Sequence, residues 1–295
     1  MENQYVIFTD SSADIDRAYI DSGKVKFIPM EISVGDNQKT YSPDCDKSFF
    51  DEFFAEVRKG TPCSTTQITP YIYEETFSPY LEKGISVIYL SLSGGLSSTY
   101  QSALNASEKL NAEYTDAKFY PIDSLSATGG MGIILEELVA NQDNGLSFEE
   151  NINKIEEFKK YVVMAGYVES LLHLKRGGRI SAATAVVGTL LNIKPIIRIT
   201  SVGKLLSYTK ETGSKKATLK LFSYFKENYD FENKKTVYVI DSGNEKNAEL
   251  LVSKIKETDE SIIVKRVTLS PIIGGHLGAD SVVIAFKDKQ TNSLT

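Results

Sequence analysis

Residues 86–103 read SVIYLSLSGGLSSTYQSA: an apolar run, two glycines, a group of hydroxyl side chains and then helix-forming residues. The apolar run predicts a buried strand of a parallel sheet. Gly94 and Gly95 favour a tight turn, and the hydroxyls that follow favour the start of a helix. Such a strand–turn–helix unit directs unpaired backbone N–H groups and hydroxyls at one point. It therefore predicts either a binding site for an anionic or oxygen-rich group or a nucleophilic serine.

The alternation of apolar runs and amphipathic stretches extends through the first half of the chain. It predicts strands at 5–9, 25–32, 85–90 and 118–122, and helices at 47–59, 71–83, 98–110, 128–141 and 148–159. Strands and helices that alternate in this way are typical of a parallel sheet flanked by helices.

The pattern restarts near residue 160. It predicts further strands at 161–168, 194–200, 205–209, 236–240, 261–269 and 281–286, and helices at 182–191, 214–229 and 245–257. Residues 201–204, SVGK, predict a hairpin turn between two of these strands. We therefore predict an α/β protein with two domains. Residues 1–159 form an N-terminal domain built on a parallel sheet flanked by helices, and residues 160–295 form a second α/β domain.

The charge and hydropathy of the chain exclude several classes of function. Its 295 residues carry a net charge of −6, whereas nucleic-acid-binding surfaces normally have a basic excess. No apolar stretch approaches the ~18 residues that a membrane-spanning helix needs, so we expect no stable membrane insertion. The first residues, MENQYVIFTD, lack the basic and apolar regions of a signal peptide, and we expect a cytoplasmic protein.

The sequence also lacks the common signatures of cofactor binding. Neither of the standard glycine-rich nucleotide-binding motifs occurs, and the glycine-rich segments 129–132 and 274–278 do not match them. Cys45 and Cys63 form no Cys-x-x-Cys pair, and the only two histidines are far apart in the sequence. We therefore expect no metal and no cofactor.

Polar segments follow several of the predicted strands. Residues 10–12, 123–126 and 241–244 each combine Asp with Ser at the end of an apolar run. Ligands of open α/β sheets bind outside the carboxyl ends of the strands, so these segments are candidates for a shared site. Each of them alone is equally typical of a helix N-cap, and both interpretations stay open.

Three basic side chains need separate consideration. Arg179 lies in KRGGRIS, residues 175–181, which is either a solvated turn before a helix or a segment in which Arg179 pairs with an anion or contacts a partner protein. His173, among leucines, is most simply a packing residue. His276 lies between glycines, where it is either a histidine of a surface turn or a functional residue.

Seven short motifs, taken in order along the chain, resemble those of the DegV family of bacterial fatty-acid-binding proteins. They are DSSAD at 10–14, TTQITP at 65–70, SGGLSSTYQSA at 93–103, DS at 123–124, KRGGRIS at 175–181, IKPI at 193–196 and GHLG at 275–278. The resemblance implies a two-domain DegV-like fold and a carrier rather than an enzyme. Such a carrier encloses a long-chain fatty acid in its first domain and presents the carboxylate to a separate fatty acid kinase, which forms the acyl phosphate.

Carried over by position, the residues that hold the carboxylate are Thr65, Ser97 and His276. These donors suit a carboxylate, which is very costly to bury without hydrogen bonds. The acyl tail needs small or flexible neighbours. We expect either that it runs along the glycine-rich helix start or that this helix start only packs on the sheet. The residues concerned are Ala127, Gly129, Gly130, Met131, Ile133 and Ile134.

The chain departs from the family pattern in ways that bear on its function. Asp280 stands where members often have glycine, and we expect it to add an acid near the carboxylate site. Thr212 stands where members that serve the kinase have an arginine, so Lys210 or Lys215 is the candidate to substitute for it. Together with Arg179, Lys210 is a candidate contact for a partner protein.

The alternative to a carrier is a serine hydrolase that acts on acyl esters. Ser97 would be its nucleophile and His276 its base, with Asp10 or Asp123 orienting the imidazole. The G-x-S-x-G elbow of many such enzymes is absent, because Gly95-Leu96-Ser97 is followed by Ser98-Thr99.

Overall fold

The computed structural model describes residues 5–41, 45, 47–181 and 192–295, and the helix predicted at 182–191 lies outside them. The elements of the first half are β1 (Tyr5–Asp10), α1 (Arg17–Asp21), β2 (Val25–Ile28), β3 (Met30–Val34), β4 (Asn37–Tyr41), α2 (Lys47–Arg58), β5 (Cys63–Thr65), α3 (Pro70–Leu81), β6 (Ser86–Ser91), α4 (Thr99–Glu113), β7 (Phe119–Asp123), α5 (Thr128–Asp143) and α6 (Phe148–Phe158). Those of the second half are β8 (Val162–Tyr167), α7 (Leu172–Arg176), β9 (Ile193–Ile199), β10 (Leu205–Thr212), α8 (Ser214–Asn228), β11 (Val237–Asp241), α9 (Glu245–Thr258), β12 (Val264–Thr268), α10 (Pro271–Leu277) and β13 (Val282–Lys287).

The first sheet has the strand order β2-β1-β6-β7, and all of its strands are parallel. Residues 87–90 of β6 are fully buried, which is the pattern of a parallel strand covered by helices on both faces. The predicted α/β class is thereby confirmed, and the segments after β1, β6 and β7 meet at one edge of this sheet.

The strand predicted at 25–32 is in fact two strands in two different sheets. Pro29 separates β2 from β3, and its missing N–H and fixed φ favour a change of direction there. β3 belongs to a small antiparallel sheet of order β4-β3-β5, which sequence reasoning did not predict. In this sheet Thr65, the last residue of β5, is opposite Ile32.

The second sheet is mixed, with the strand order β10-β9-β8-β13-β11-β12. Only β11 and β12 form a parallel pair among its described strands. The hairpin turn predicted at 201–204 is confirmed: the N–H of Gly203 donates to the carbonyl of Thr200 at 2.9 Å, and Gly203 has a φ of 73°. β10 continues to Thr212, three residues beyond the predicted end.

Helix α5 joins the two halves. It belongs to the first half of the sequence but packs against β8, β11 and β13 of the second sheet. A Cβ on Gly129 would lie 2.6 Å from Cδ1 of Ile240 and 2.7 Å from Cβ of Tyr238, so only glycine permits this approach. One apolar core therefore continues from the first sheet into the second. The division at 159/160 remains a prediction.

The glycine-rich segment around His276 forms a helix, α10, and the interpretation as a surface turn is wrong. Ser270 caps this helix and Pro271 occupies its first position. Gly274 and Gly275 allow the helix to pack closely, because a Cβ on them would lie 2.8 Å from a ring atom of Phe54 and 3.1 Å from Cβ of Cys63. Tertiary packing therefore outweighs the low helix propensity of the glycines.

Candidate ligand-binding site

A cavity of about 270 Å³ lies between the two halves of the chain. Its wall combines the small sheet and the segment after it, the loop after β6, the start of α5 and several elements of the second half. Most of its side chains are apolar. The lining residues are Met30, Thr65, Thr66, Gln67, Leu92, Leu96, Ser97, Ser98, Ala127, Met164, Leu174, Arg179, Leu205, Ile272, Ile273, His276 and Leu277.

His276 and Thr65 form a hydrogen-bonded pair in this wall, although 211 positions separate them in the sequence. Nε2 of His276 lies 2.9 Å from Oγ1 of Thr65. The other ring nitrogen faces Gly177, where a Cβ would lie 2.4 Å from Nδ1. Burial, and then the charge of Arg179, lowers the pKa of His276 to about 4. The imidazole is therefore neutral at pH 7 and offers one N–H.

Ser97 lies at the start of α4, as the strand–turn–helix interpretation predicts. Its backbone N–H donates to the carbonyl of Ser93 at 3.1 Å. Its Oγ lies 2.9 Å from Oγ1 of Thr99 and accepts from the N–H of Thr99 at 3.2 Å. Ser97 thus precedes the N-cap residue of α4, Ser98, and its side chain accepts from the first N–H of the helix while it borders the cavity.

Arg179 also lies in the cavity wall, so the interpretation of its segment as a solvated turn is wrong for this residue. Its Nε donates to the carbonyl of Leu96 at 3.1 Å, and its Nη1 donates to the carbonyl of Gly177. Burial lowers the pKa of Arg179, but a guanidinium stays charged at pH 7. The cavity therefore holds a positive charge next to Leu96 and Ser97.

Of the six residues considered for a tail tunnel, Ala127 borders the cavity and the other five do not. Gly129 packs on the second sheet, and a Cβ on Gly130 would lie 2.0 Å from Oγ of Ser126. Met131, Ile133 and Ile134 are buried in the core. In this structure the glycine-rich helix start therefore serves the packing of α5. Lys210 is exposed on the edge strand β10, outside the cavity.

The groups that a serine hydrolase needs are not connected. Asp10 accepts from the N–H of Ser12 at 2.9 Å, from the hydroxyl of Tyr89 at 2.6 Å and from the N–H of Leu92 at 3.3 Å. Asp123 accepts from the N–H groups of Gly94 and Leu125 at 3.2 and 2.9 Å. Within the described part of the chain, no hydrogen bond joins Ser97 to His276, or His276 to either aspartate.

Asp280 does not add an acid to the site, contrary to the expectation from the sequence. Its carboxylate pairs with the guanidinium of Arg58 on α2, with N–O distances of 2.7 and 3.0 Å. Its φ of 60° is a left-handed conformation that favours glycine, which gives a physical reason for a glycine at this position. The Arg58–Asp280 pair links α2 to the second half of the chain.

The described ranges contain neither a helix that could span a membrane nor a cluster of metal-ligating side chains. No helix among residues 5–41, 47–181 and 192–295 is long and apolar enough to cross a bilayer. No group of three or more His, Cys, Asp or Glu side chains in these ranges is placed to hold a metal ion.

Sequence comparisons assign the chain to a family. Residues 4–289 match the family described as "Uncharacterised protein, DegV family". A DegV domain-containing protein of Clostridium perfringens is 31% identical over 286 residues, which are 96% of this chain and 97% of that protein. A DegV domain-containing protein of Lactococcus lactis is 32% identical over 281 residues, or 95% and 96% of the two chains.

Solved structures share the whole fold. The crystal structure of DegV from Bacillus subtilis, a fatty acid binding protein, has a TM-score of 0.83 and 25% identity, covering 98% of this chain and all of that one. The fatty acid kinase B3 protein of Streptococcus pneumoniae, loaded with linoleic acid, has a TM-score of 0.83 and 22% identity, covering 96% and 99% of the chains. This chain is a member of the DegV family.

Proposed function

We propose that this protein binds one long-chain fatty acid, with its carboxylate at Thr65, Ser97 and His276 and its acyl chain in the apolar part of the cavity. The observation that carries the proposal is the Thr65–His276 hydrogen bond of 2.9 Å in the wall of a mainly apolar cavity. Relatives give it further support: the Bacillus subtilis structure and one from Thermus thermophilus, both 25% identical, are described as fatty acid binding.

A neutral imidazole suits this role when it acts through Thr65. In our proposal Nε2 of His276 donates its proton to Oγ1 of Thr65, and the threonine hydroxyl donates to the carboxylate. The hydroxyl of Ser97 supplies a second donor. Hydrogen bonds to a charged group contribute about 1.5–3 kcal/mol each. The guanidinium of Arg179, in the same wall, favours the ionised form of the ligand without a direct ion pair.

The apolar wall supplies the rest of the affinity. Leu92, Met164, Leu205 and Ile272 come from four different segments and border the same space. Each buried CH₂ group of the ligand contributes about 0.8 kcal/mol before ordering costs are subtracted. A carboxylate with a long alkyl chain is therefore the ligand class that matches both parts of the cavity.

We propose in addition that the protein catalyses no reaction itself and delivers the bound carboxylate to a fatty acid kinase in the cytoplasm. The kinase B3 protein of Streptococcus pneumoniae shares the fold, and its name places it in such a system. Lys210 and Lys215 are exposed at the end of β10 and the start of α8, where an acidic surface of a kinase can contact them. Thr212 lies between them and carries no charge.

The direct test is to extract the purified protein with organic solvent and to identify the extract by mass spectrometry. We expect close to one fatty acid for each protein chain. After delipidation, palmitate and oleate should bind with the same stoichiometry. A lipid-free extract together with no binding of either acid would contradict the proposal.

A further inference from the structure

A buried carboxylate, that of Asp14, lies behind the proposed fatty-acid site without bordering its cavity. Only 5% of the residue is exposed. We propose that Asp14 is a positioning residue of this site: it fixes the starts of α10 and α5 and thereby holds His276 against Thr65. This inference rests on the proposed function.

The first branch of the argument runs from Asp14 to α10. Oδ1 of Asp14 accepts from the backbone N–H of Ser270 at 2.9 Å, across 256 positions of sequence. Ser270 is the N-cap of α10, and its own hydroxyl accepts from the N–H of Ile273 at 3.5 Å. Because α10 has seven residues, the position of its cap determines the position of His276 at its other end.

The cavity depends strongly on this short helix. Four of its seven residues border the cavity: Ile272, Ile273, His276 and Leu277. The helix packs closely on α2 and β5 through Gly274 and Gly275. A shift at Ser270 would therefore move His276 relative to Thr65, which lies on β5 and is paired with Ile32 of β3.

The second branch runs from Asp14 to α5. Oδ2 of Asp14 accepts from the hydroxyl of Thr128, the first residue of α5. Thr128 has a φ of 45°, which is unusual for a β-branched residue and needs support from its surroundings. Its N–H donates to the carbonyl of Ser12 at 3.1 Å. The preceding residue, Ala127, borders the cavity. One carboxylate therefore fixes two walls of the same cavity.

The chemistry of these contacts explains why a carboxylate stands here. Its two oxygens face a backbone N–H and a hydroxyl, neutral groups in different halves of the chain, and the carboxyl can bond to both in either protonation state because the hydroxyl of Thr128 can donate or accept. Alanine at position 14 would leave both donors unpaired. Asparagine would keep one acceptor oxygen and place an N–H₂ group at the other position, where the oxygen of Thr128 can accept.

The test without ligand uses ¹⁵N-histidine NMR spectra of the whole protein, in which His276 and His173 are the only two imidazole rings. In Asp14→Ala the hydrogen bond between Nε2 of His276 and Thr65 should be lost, and the ring-nitrogen chemical shifts of His276 should change accordingly. The pKa of His276 should rise toward 6.5. The ring of His173 lies against Gly278 at the C-terminal end of α10, so its resonances should respond to the same movement. Asp14→Asn should show a smaller change, and it serves as the variant most certain to fold. His276 spectra identical to wild type in both variants would overturn the proposal.

The test with ligand compares palmitate with 1-hexadecanol, which has the same chain length and no carboxylate. Asp14→Ala should raise the Kd for palmitate at least tenfold and the Kd for hexadecanol less than threefold. A general loosening of the fold would weaken both alike, and that outcome contradicts positioning. In a His276→Ala background the Asp14→Ala change should add less than a threefold effect, whereas full additivity would again contradict it.

The two proposals fail separately. If wild-type protein binds neither palmitate nor oleate, the proposed function fails, while the NMR comparison still decides whether Asp14 positions His276. If palmitate binds and the His276 resonances do not respond to Asp14, only the positioning proposal fails.

Discussion

Two polar clusters lie near the same edge of the first sheet. They differ in whether their polar groups bond only within the protein or also border a cavity. In the cluster around Asp10, the carboxylate is fully buried and accepts from Ser12, Tyr89 and Leu92. In the cluster around Thr65, the hydroxyl meets His276 and borders a cavity. The first cluster closes on the protein itself, whereas the second still faces space that a ligand can fill.

This difference separates a structural motif from a binding site more sharply than residue type does. In the sequence, residues 10–12 (DSS) and 64–66 (STT) are both short polar segments at the end of a strand. Only the structure shows that the donors around Asp10 are used inside the fold. We therefore expect substitutions in the two clusters to affect different quantities, stability in one and ligand affinity in the other.

The largest effect is expected for Asp10→Asn, on stability. The variant keeps the size of the side chain but turns an N–H₂ group toward donors such as the Tyr89 hydroxyl and the Leu92 N–H. A buried donor left unpaired costs about 1–3 kcal/mol, so the free energy of unfolding should fall by several kcal/mol in total. Urea unfolding followed by circular dichroism measures it.

Asp21→Asn is the matched control for this change. It removes only the exposed Arg17–Asp21 ion pair, and pairs of this kind contribute about 0.3–0.5 kcal/mol. If Asp10→Asn were as stable as this control, the Asp10 cluster would not be the structural one.

The second effect is expected for Thr65→Val, on affinity. Valine has nearly the same shape but leaves the Nε2–H of His276 without its acceptor, so the free energy of unfolding should fall by about 1–3 kcal/mol, less than in Asp10→Asn. The Kd for palmitate should rise about 10- to 100-fold, because one hydrogen bond to a charged group contributes about 1.5–3 kcal/mol. Isothermal titration calorimetry on delipidated protein gives both the Kd and the stoichiometry.

Thr66→Val controls for the loss of a hydroxyl beside the same cavity. Thr66 is the next residue, and its hydroxyl lies 3.5 Å from the carboxylate of Glu31 rather than against His276. We expect its Kd for palmitate to change less than about threefold. Equal losses for the two variants would show that Thr65 has no special role.

The sequence was sufficient to predict the first sheet and the hairpin, because these features follow from local patterns. Residues 87–90 form an uninterrupted apolar run, and Gly203 marks the turn. The small sheet was missed because β4, Asn37–Tyr41, is polar at four of five positions and β5 has only three residues. Neither strand has an apolar alternation to detect, and their pairing depends on tertiary contacts.

The site was only partly predictable for a related reason. Thr65, Ser97 and His276 follow from the resemblance, whereas the place of Arg179 in the wall does not follow from its local sequence. Met164 and Leu205 are apolar strand residues without any motif, and they border the cavity only because the second sheet packs there. The helical state of α10 depends likewise on its packing against α2 and β5, which no local pattern contains.

The smallest effect concerns the pH dependence of stability in the wild type, to which the imidazole of His276 and the carboxyl of Asp14 contribute with opposite sign. Burial lowers the pKa of His276 from 6.5 to about 4 and raises that of Asp14 from 3.8 to about 7. The contribution of His276 to stability is present above pH 6.5 and is lost as the pH falls toward 4. The contribution of Asp14 is present below pH 3.8 and is lost as the pH rises toward 7. The two oppose each other between pH 4 and 6.5.

When either residue is substituted, the free energy of unfolding should therefore show the pH dependence of the other residue without compensation. As the pH rises from 4 to 6.5, the free energy of unfolding of ligand-free Asp14→Asn should increase relative to wild type, and that of His276→Gln should decrease. A single proton contributes at most about 1.4 kcal/mol per pH unit, so each slope stays below about 3.5 kcal/mol over the window and the two largely cancel in the wild type. Urea unfolding at pH 4.5, 5.5 and 6.5 measures the slopes. Parallel curves for wild type and both variants would mean that neither group changes its protonation on unfolding. His276 would then be as accessible to water in the fold as in the unfolded chain, which is incompatible with a donor held in the cavity wall.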